Sequence, residues 1–396
     1  MVKVLVTYGW CRTAYLSVQA LATLGYEVYS CSHLQPSMSG WSRFCHGSAP
    51  VSDPFKAPIS FIEDISRLVD RWQIDVLLPV HEDALVLRRE EKDLPYGIRI
   101  ASSDFTSLCI GVNKRTITEH AQNIGISVPR TIFPNTIDDA IELAPSLGFP
   151  LVIKLTRSNS AKGVLIVSTK AELQKKLYQL CVDFPNGFIG DYLYLQAFQH
   201  GRVVGGCFMS RDGNIDGYFG EQYLRTKTGS MGTSVFREPF KSPELESLVK
   251  KIVASLKWSG IGHFDFIQDC HTGEFFLLEM NPRPWGAINL AYVNGFDFIG
   301  ALISYTLGEK DLTRFFRPKQ EQSIRSMWIL GEMIRIAYLV KSRQLDVNYS
   351  TPSAILNSLK NTHFDDFLWN DPLPFLAESL CYAKGFINSN GNLNPT

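Results

Sequence analysis

The stretch LLEMNPRPWG, residues 277–286, ends an apolar run with a carboxylate, an amide and a guanidinium at Glu279, Asn281 and Arg283. On a strand, residues i, i+2 and i+4 share a face, so the three heads point into one space. Burying such groups without partners is costly, and the sequence is therefore expected to bring opposite charges or a bound ion to them. Upstream, GHFDFIQ (262–268) alternates around Asp265, and the turn His271-Thr272-Gly273 would fold the two segments into an antiparallel pair. That pairing would set Asp265 beside Glu279 and Asn281. Two carboxylates and an amide oxygen suit Mg²⁺, which keeps several waters and shares substrate phosphates; Mn²⁺ is the alternative ion. Arg283, held between Pro282 and Pro284, carries a fork suited to a carboxylate or phosphoryl group.

These residues need a scaffold. Residues 2–7 are β-rich, a helical stretch runs to about Leu24, Gly25 closes it, and 26–30 returns to strand character. This is the opening of a doubly wound α/β domain. The first turn holds a single glycine, Gly9, and not GxGxxG, which argues against a dinucleotide dehydrogenase. A helix over 60–72 and a strand over 75–79 follow, ending in His81-Glu82-Asp83. Ligands gather at the carboxyl ends of strands in open α/β sheets, so Arg12, His81 and Glu82 are substrate-pocket candidates.

Beyond a boundary near Gly111, the pattern predicts helices over 113–125, 138–148, 170–180 and 242–256, and strands over 150–155, 164–168 and 193–198. Segments 203–210 and 216–222 read as a hairpin across Asp212-Gly213-Asn214. From about Asp311 the chain reads as mostly helical, with an amphipathic helix over 328–340 and a disordered-looking end at 388–396.

Composition excludes several classes. The 396 residues are 45% apolar and 20% charged, and 39 basic side chains balance 39 acidic ones. That balance argues against nucleic acid or an anionic membrane as main partner. The eight cysteines show no CxxC or Cys/His metal spacing, which fits reduced thiols in a cytoplasmic protein. The N-terminus runs straight into a strand, and no stretch is apolar enough to span a bilayer.

The spacing D…(about 14)…E-x-N-P-R resembles the metal-binding signature of the ATP-grasp superfamily, which includes biotin carboxylase and D-alanine–D-alanine ligase. Further elements recur in order. Asn113-Lys114 looks like the helix start with the first ATP lysine, and FPLVIKLTRSNSAKGV (149–164) like the strand bearing the second, Lys154. The loop Ser158, Asn159, Ser160, Ala161, Lys162 and Gly163 would cradle phosphate with its backbone amides. YLQAFQHG (194–201) looks like the linker that holds adenine, which assigns Gln196, Ala197 and Phe198 to ATP, although Ala197 stands where many relatives have glutamate. Arg225 and Lys227 sit where related enzymes have a second active-site loop.

The resemblance runs from about 110 to 305 and is strongest to the carboxylate–amine ligase group. It implies a pre-ATP-grasp α/β domain (1–111), two ATP-grasp subdomains (112–192 and 193–310) and a helical C-terminal extension (311–396). It also implies ATP and Mg²⁺ as cofactors, small-molecule carboxylate and amine substrates, and a homodimer through the first domain. Asp265, Glu279 and Asn281 would hold the metal, Lys114 and Lys154 the phosphates, and Arg283, with Arg225 and Lys227, the reacting groups. The expected chemistry is amide-bond formation through an acyl phosphate, with release of ADP and phosphate. A bicarbonate-using carboxylase or carbamoyl-phosphate-type enzyme is the alternative on the same fold, and a nucleotide-binding regulatory module without turnover the alternative of another class.

Overall fold

A computed structural model of the chain describes residues 1–156, 164–183, 193–228, 231–318, 323–343, 346 and 352–388. In chain order, β1 (Lys3–Val6), α1 (Arg12–Thr23), β2 (Glu27–Ser32), β3 (Gly47–Pro50), α2 (Pro58–Trp72), β4 (Val76–Leu78), α3 (Asp83–Arg89) and β5 (Arg99–Ile100) build a parallel sheet of order β3-β2-β1-β4-β5. The expected doubly wound opening is therefore present. Val4, Leu5, Val6, Val76, Leu77 and Leu78 are all fully buried, as strands covered on both faces must be. The strand order reverses between β1 and β4, so the loops after these two strands face one another. Tyr8 and His81, one from each loop, stack with ring centres 4.3 Å apart.

Next come α4 (Phe105–Val112), α5 (Lys114–Asn123), β6 (Thr131–Ile132), α6 (Ile137–Leu143), β7 (Leu151–Leu155), β8 (Val164–Val167), α7 (Lys170–Asp183) and β9 (Leu193–Ala197). The four strands form an antiparallel sheet of order β6-β9-β7-β8, so a strand from beyond residue 192 closes the small sheet. Helices α6 and α7 cover it with Ala140, Leu173 and Leu177. The side chain of Asn113 accepts from the amides of Arg115 and Thr116, which starts α5 cleanly and fixes where Lys114 emerges.

The remainder is β10 (Gly201–Arg211), β11 (Asn214–Thr228), β12 (Met231–Pro239), α8 (Pro243–Leu256), β13 (Gly260–Asp269), β14 (Phe275–Asn281), α9 (Ile288–Val293), α10 (Phe298–Thr306), β15 (Arg325–Met327), α11 (Ile329–Ser342), α12 (Pro352–Leu359), β16 (Thr362–Phe364) and α13 (Leu373–Asn388). Its seven strands lie in the order β14-β13-β10-β11-β12-β15-β16. The expected hairpin pairs Arg211 with Asn214 across Asp212 and Gly213, whose φ values of 48° and 83° are those a tight two-residue turn requires. One face of this sheet packs on α5 and α8 and the other on α1, α9 and α10.

The tail holds helices α11, α12 and α13, and two features go beyond the mostly helical expectation. Strands β15 and β16 extend the large sheet. Helix α11 turns Glu332 and Arg335 inward, while Met333, Ile336 and Val340 are exposed at 56%, 44% and 74%. The inward charges are matched: Glu332 meets Arg225, and Arg335 reaches Asp346 at 2.6 Å. The phosphate loop expected at 158–163 and residues 389–396 of the disordered-looking end lie outside the described residues.

Candidate active site

Strands β13 and β14 pair antiparallel with Asp265 opposite Glu279 and His263 opposite Asn281. A bulge after Asp265 sets the two carboxylates over the same space. Oδ2 of Asp265 accepts from the Asn281 amide at 3.2 Å, and Oδ1 from the Tyr223 hydroxyl at 2.9 Å. Burial pushes the Asp265 carboxyl up to about 6 despite the pull of His263, and Glu279 adds to the rise. Two acids held this close favour a cation between them, and their oxygen donors are those of a hard divalent ion.

Behind the trio, His263 is fully buried and stacks on Trp285 at 5.5 Å. Its Nε2 lies 3.2 Å from Glu221 and its Nδ1 3.4 Å from the Asn281 amide nitrogen. Burial alone would strip the imidazole of its proton, but Asp265 and Glu221 outweigh it and hold the pKa above its ordinary value. A Cβ at Gly205 would meet Nε2 at 2.3 Å, so only glycine fits beside this pair. Cys207 joins Glu221 and His263 within 4.8 Å, a convergence from three strands that the scattered cysteine spacing gave no hint of.

Two buried lysines face the trio. Lys114 contacts Glu279 at 3.2 Å, and Lys154 donates to Gln196 at 2.6 Å. Burial pulls Lys154 down to about 8, with Glu279 opposing the fall and Lys114 adding to it. Glu279 itself stays below its ordinary value, because Lys114 and Lys154 outweigh the effect of burial. Gln196 is held in turn by donating to Thr131 at 3.0 Å.

Asp265, Glu279, Asn281, Tyr223, His263, Lys114 and Lys154 line one cavity of about 530 Å³, which Gln196, Ala197 and Phe198 border at one end. Its other end is built by the β1 loop, residues 285–287 and the tail. Arg283 lines the same cavity, its guanidinium donating to Glu82 at 3.0 Å and 3.1 Å. That contact, with His81, holds the Glu82 carboxyl well below the usual range although burial opposes it.

No family model matches the chain. Among curated proteins, the chloroplastic biotin carboxylase of Arabidopsis thaliana is 26% identical over 247 residues, 58% of this chain and 43% of that protein. The formate-dependent phosphoribosylglycinamide formyltransferase of Bacteroides fragilis is 24% identical over 253 residues, 58% of this chain and 60% of that protein. The chain thus spans about half the length of the curated relatives it matches. Biotin carboxylase from Campylobacter jejuni, solved as a β,γ-ATP complex, superposes with a TM-score of 0.67 at 15% identity, over 79% of this chain and 73% of that one. The L-amino acid ligase of Bacillus licheniformis gives 0.62 at 16% identity, over 80% and 78%. The chain has the ATP-grasp fold.

On this ATP-grasp frame most of the residues expected from the sequence meet in the cavity: Arg12, His81, Lys114, Lys154, Gln196, Ala197, Phe198, Lys227, Asp265, Glu279, Asn281 and Arg283. Glu82 reaches it through Arg283. Asp83 lies beneath, accepting from Thr7, and burial pushes it up to about 7. Arg225 does not join them. Alternation would have placed it with Tyr223 and Lys227, but β11 bulges between 223 and 226, and the guanidinium turns to Glu332, Ser358 and the ring of Phe236. The sequence reading missed Trp10, Tyr223, Trp285, Trp328, Glu378 and Tyr382, all of which line the cavity. Trp285 lay within the quoted motif. The tail residues carried no signal, because only the long return of the chain places them there.

Among the described residues, no helix is long and apolar enough to cross a membrane.

Proposed function

We propose that the protein is an ATP-dependent carboxylate–amine ligase that works through an acyl phosphate and releases ADP and phosphate. The observation that carries this reading is the β13–β14 register, which holds Asp265, Glu279 and Asn281 opposite Lys114 and Lys154 in a single cavity. On this reading ATP takes the end bordered by Gln196–Phe198, with its phosphates toward the lysines. Mg²⁺ held by Asp265, Glu279 and Asn281 would neutralise charge on the phosphate oxygens. The chain's own part is positioning and electrostatics. Lys114 and Lys154 hold the phosphates, and Arg283 orients the substrate carboxylate whose oxygen attacks the terminal phosphorus as ADP departs. An amine then attacks the acyl carbon, phosphate leaves, and the nitrogen gives up a proton.

The test is Mg²⁺-dependent ADP release across a matrix of carboxylates and amines, with hydroxylamine added to trap the activated acyl group as a hydroxamate. The reading requires ADP release that needs an acid, and hydroxamate formed in its place when no amine is supplied. ATP binding with no acid ever stimulating release would refute it. The likeness to biotin carboxylases favours one second reading, in which bicarbonate is the acid activated; ADP release that responds to bicarbonate alone would select it.

A further inference from the structure

The far end of the cavity is walled by rings from distant parts of the chain. His81 stacks on Tyr8 at 4.3 Å, Tyr8 lies 5.7 Å from Trp10, Trp10 lies 6.4 Å from Tyr382, and Tyr382 lies 5.7 Å from Trp328. All five line the same space. Tyr8 holds a φ of 57°, a left-handed conformation that a non-glycine residue adopts at a cost, so its place in this wall is fixed by its surroundings. The indole nitrogen of Trp285, which lines the same cavity, is buried with no hydrogen-bond partner among the described residues. Cations stand among the rings: Arg12 covers one face of Trp328 at 3.8 Å, and Lys227 lies 5.7 Å from the ring centre of Tyr382. Aspartate and glutamate from the tail anchor Arg12, with Asp365 at 3.3 Å and Glu378 at 3.7 Å.

Flat apolar surface interleaved with fixed cations suits a ligand that is itself flat, apolar and anionic. In the ligase reading Arg283 takes the acid group; paired with Glu82 at 3.0 Å, it lines the same cavity as the Asp265–Glu279–Asn281 trio and the rings. We infer that the acid activated by this protein is an aromatic carboxylic acid, its carboxylate held by Arg283 and Lys227 and its ring laid against Tyr8, Trp10 and Tyr382. The inference rests on the ligase reading of the same cavity and names its substrate class.

Binding tests it without turnover. With Mg²⁺ and a non-hydrolysable ATP analogue present, 3-phenylpropionate and hexanoate are titrated calorimetrically into the full chain and into Tyr382→Leu. The two acids share a carboxylate and differ in the ring. 3-Phenylpropionate is expected to bind roughly tenfold more tightly than hexanoate, and Tyr382→Leu to erase most of that preference while nucleotide affinity stays unchanged. Equal binding of the two acids, failure of both to bind a nucleotide-loaded protein, or a preference that survives Tyr382→Leu would each overturn the inference. Ring-dependent binding here, with no ADP release once ATP replaces the analogue and amines are supplied, would leave the subsite standing and remove the ligase reading instead.

Discussion

Glu279→Gln separates the two roles the structure gives this residue. The carboxylate is one of three oxygen donors facing the cavity, and it is also the counter-charge of Lys114 and Lys154. Loss of the donor is expected to lower turnover roughly a hundredfold or more, about 2.7 kcal/mol in the barrier. Loss of the counter-charge acts on stability. Breaking a fully buried ion pair costs about 3–5 kcal/mol, but 33% of the Glu279 side chain is open to the cavity, which brings the expected loss to about 1–2 kcal/mol. The effect of losing that charge is pH-dependent. Burial brings Lys154 down to about 8, and Glu279, ahead of Asp265, is the main charge opposing that fall. Raising the pH neutralises the lysine, so the stability gap between variant and parent should narrow between about pH 7 and about pH 9. Steady-state ADP release measures the first effect, and thermal unfolding at the two pH values the second. Retention of more than about a tenth of the activity, a change of only about 1.4 kcal/mol, would refute the donor role. A stability gap that is absent at about pH 7, or that grows with pH, would refute the charge argument.

If Lys154 holds the phosphates as proposed, it does so as the ammonium, so nucleotide affinity should fall as the pH rises through about 8, approaching tenfold per unit above it; calorimetric ADP titrations that stay flat between about pH 7 and about pH 9 would contradict this. Arg225→Met should destabilise the fold by about 3 kcal/mol by leaving Glu332 buried opposite an apolar chain, with kcat and nucleotide affinity of the folded protein unchanged, and the double change with Glu332→Leu should recover much of the loss; a specific fall in kcat would return Arg225 to the catalytic set. Asp297, which caps α10 by accepting from Gly300, is pushed up to about 6 by burial. Between about pH 4 and about pH 6 the folded carboxyl keeps a proton that the unfolded chain has lost, so this residue costs stability as the pH rises through that window. Asp297→Asn keeps the cap acceptor and should be up to about 2 kcal/mol more stable than the parent near pH 7, an advantage that disappears below about pH 4 in denaturant titrations.

The parts of the fold that were legible in the sequence are those fixed by short-range pattern. Continuous apolar runs at 4–6 and 76–78 gave the parallel sheet, Asp212-Gly213 gave the hairpin, and Asn113 gave the start of α5. The trio was legible for the same reason: two alternating segments joined by a short turn leave little freedom of register, so Asp265 had to meet Glu279. Arg225 was misplaced because alternation holds only while a strand stays regular, and the bulges in β11 are invisible in a period-two pattern. Helix α11 misled for a related reason. Ile334 and Leu339 do face inward, but Glu332 and Arg335 share that face and meet partners on β11 and at Asp346, which no local pattern encodes.

The tail matters to the site through the same kind of distant pairing. Asp365 follows β16 and accepts from Arg237 on β12, from Asn289 on α9 and from Arg12 at the start of α1. Arg237 is fully buried, so its charge is tolerable only with that carboxylate in place. One residue thus ties the large sheet, the segment after the trio and the first domain around the far end of the cavity. Glu378 and Tyr382, a turn apart on α13, present their side chains to the same space. The end of the cavity bordered by Gln196–Phe198 is made by segments that the sequence announces; the opposite end is made by a tail whose composition says only that it folds. Likeness of fold at about 15% identity leaves the second kind of segment free to vary, so the proposed reaction class rests on more of the sequence than the proposed acid does.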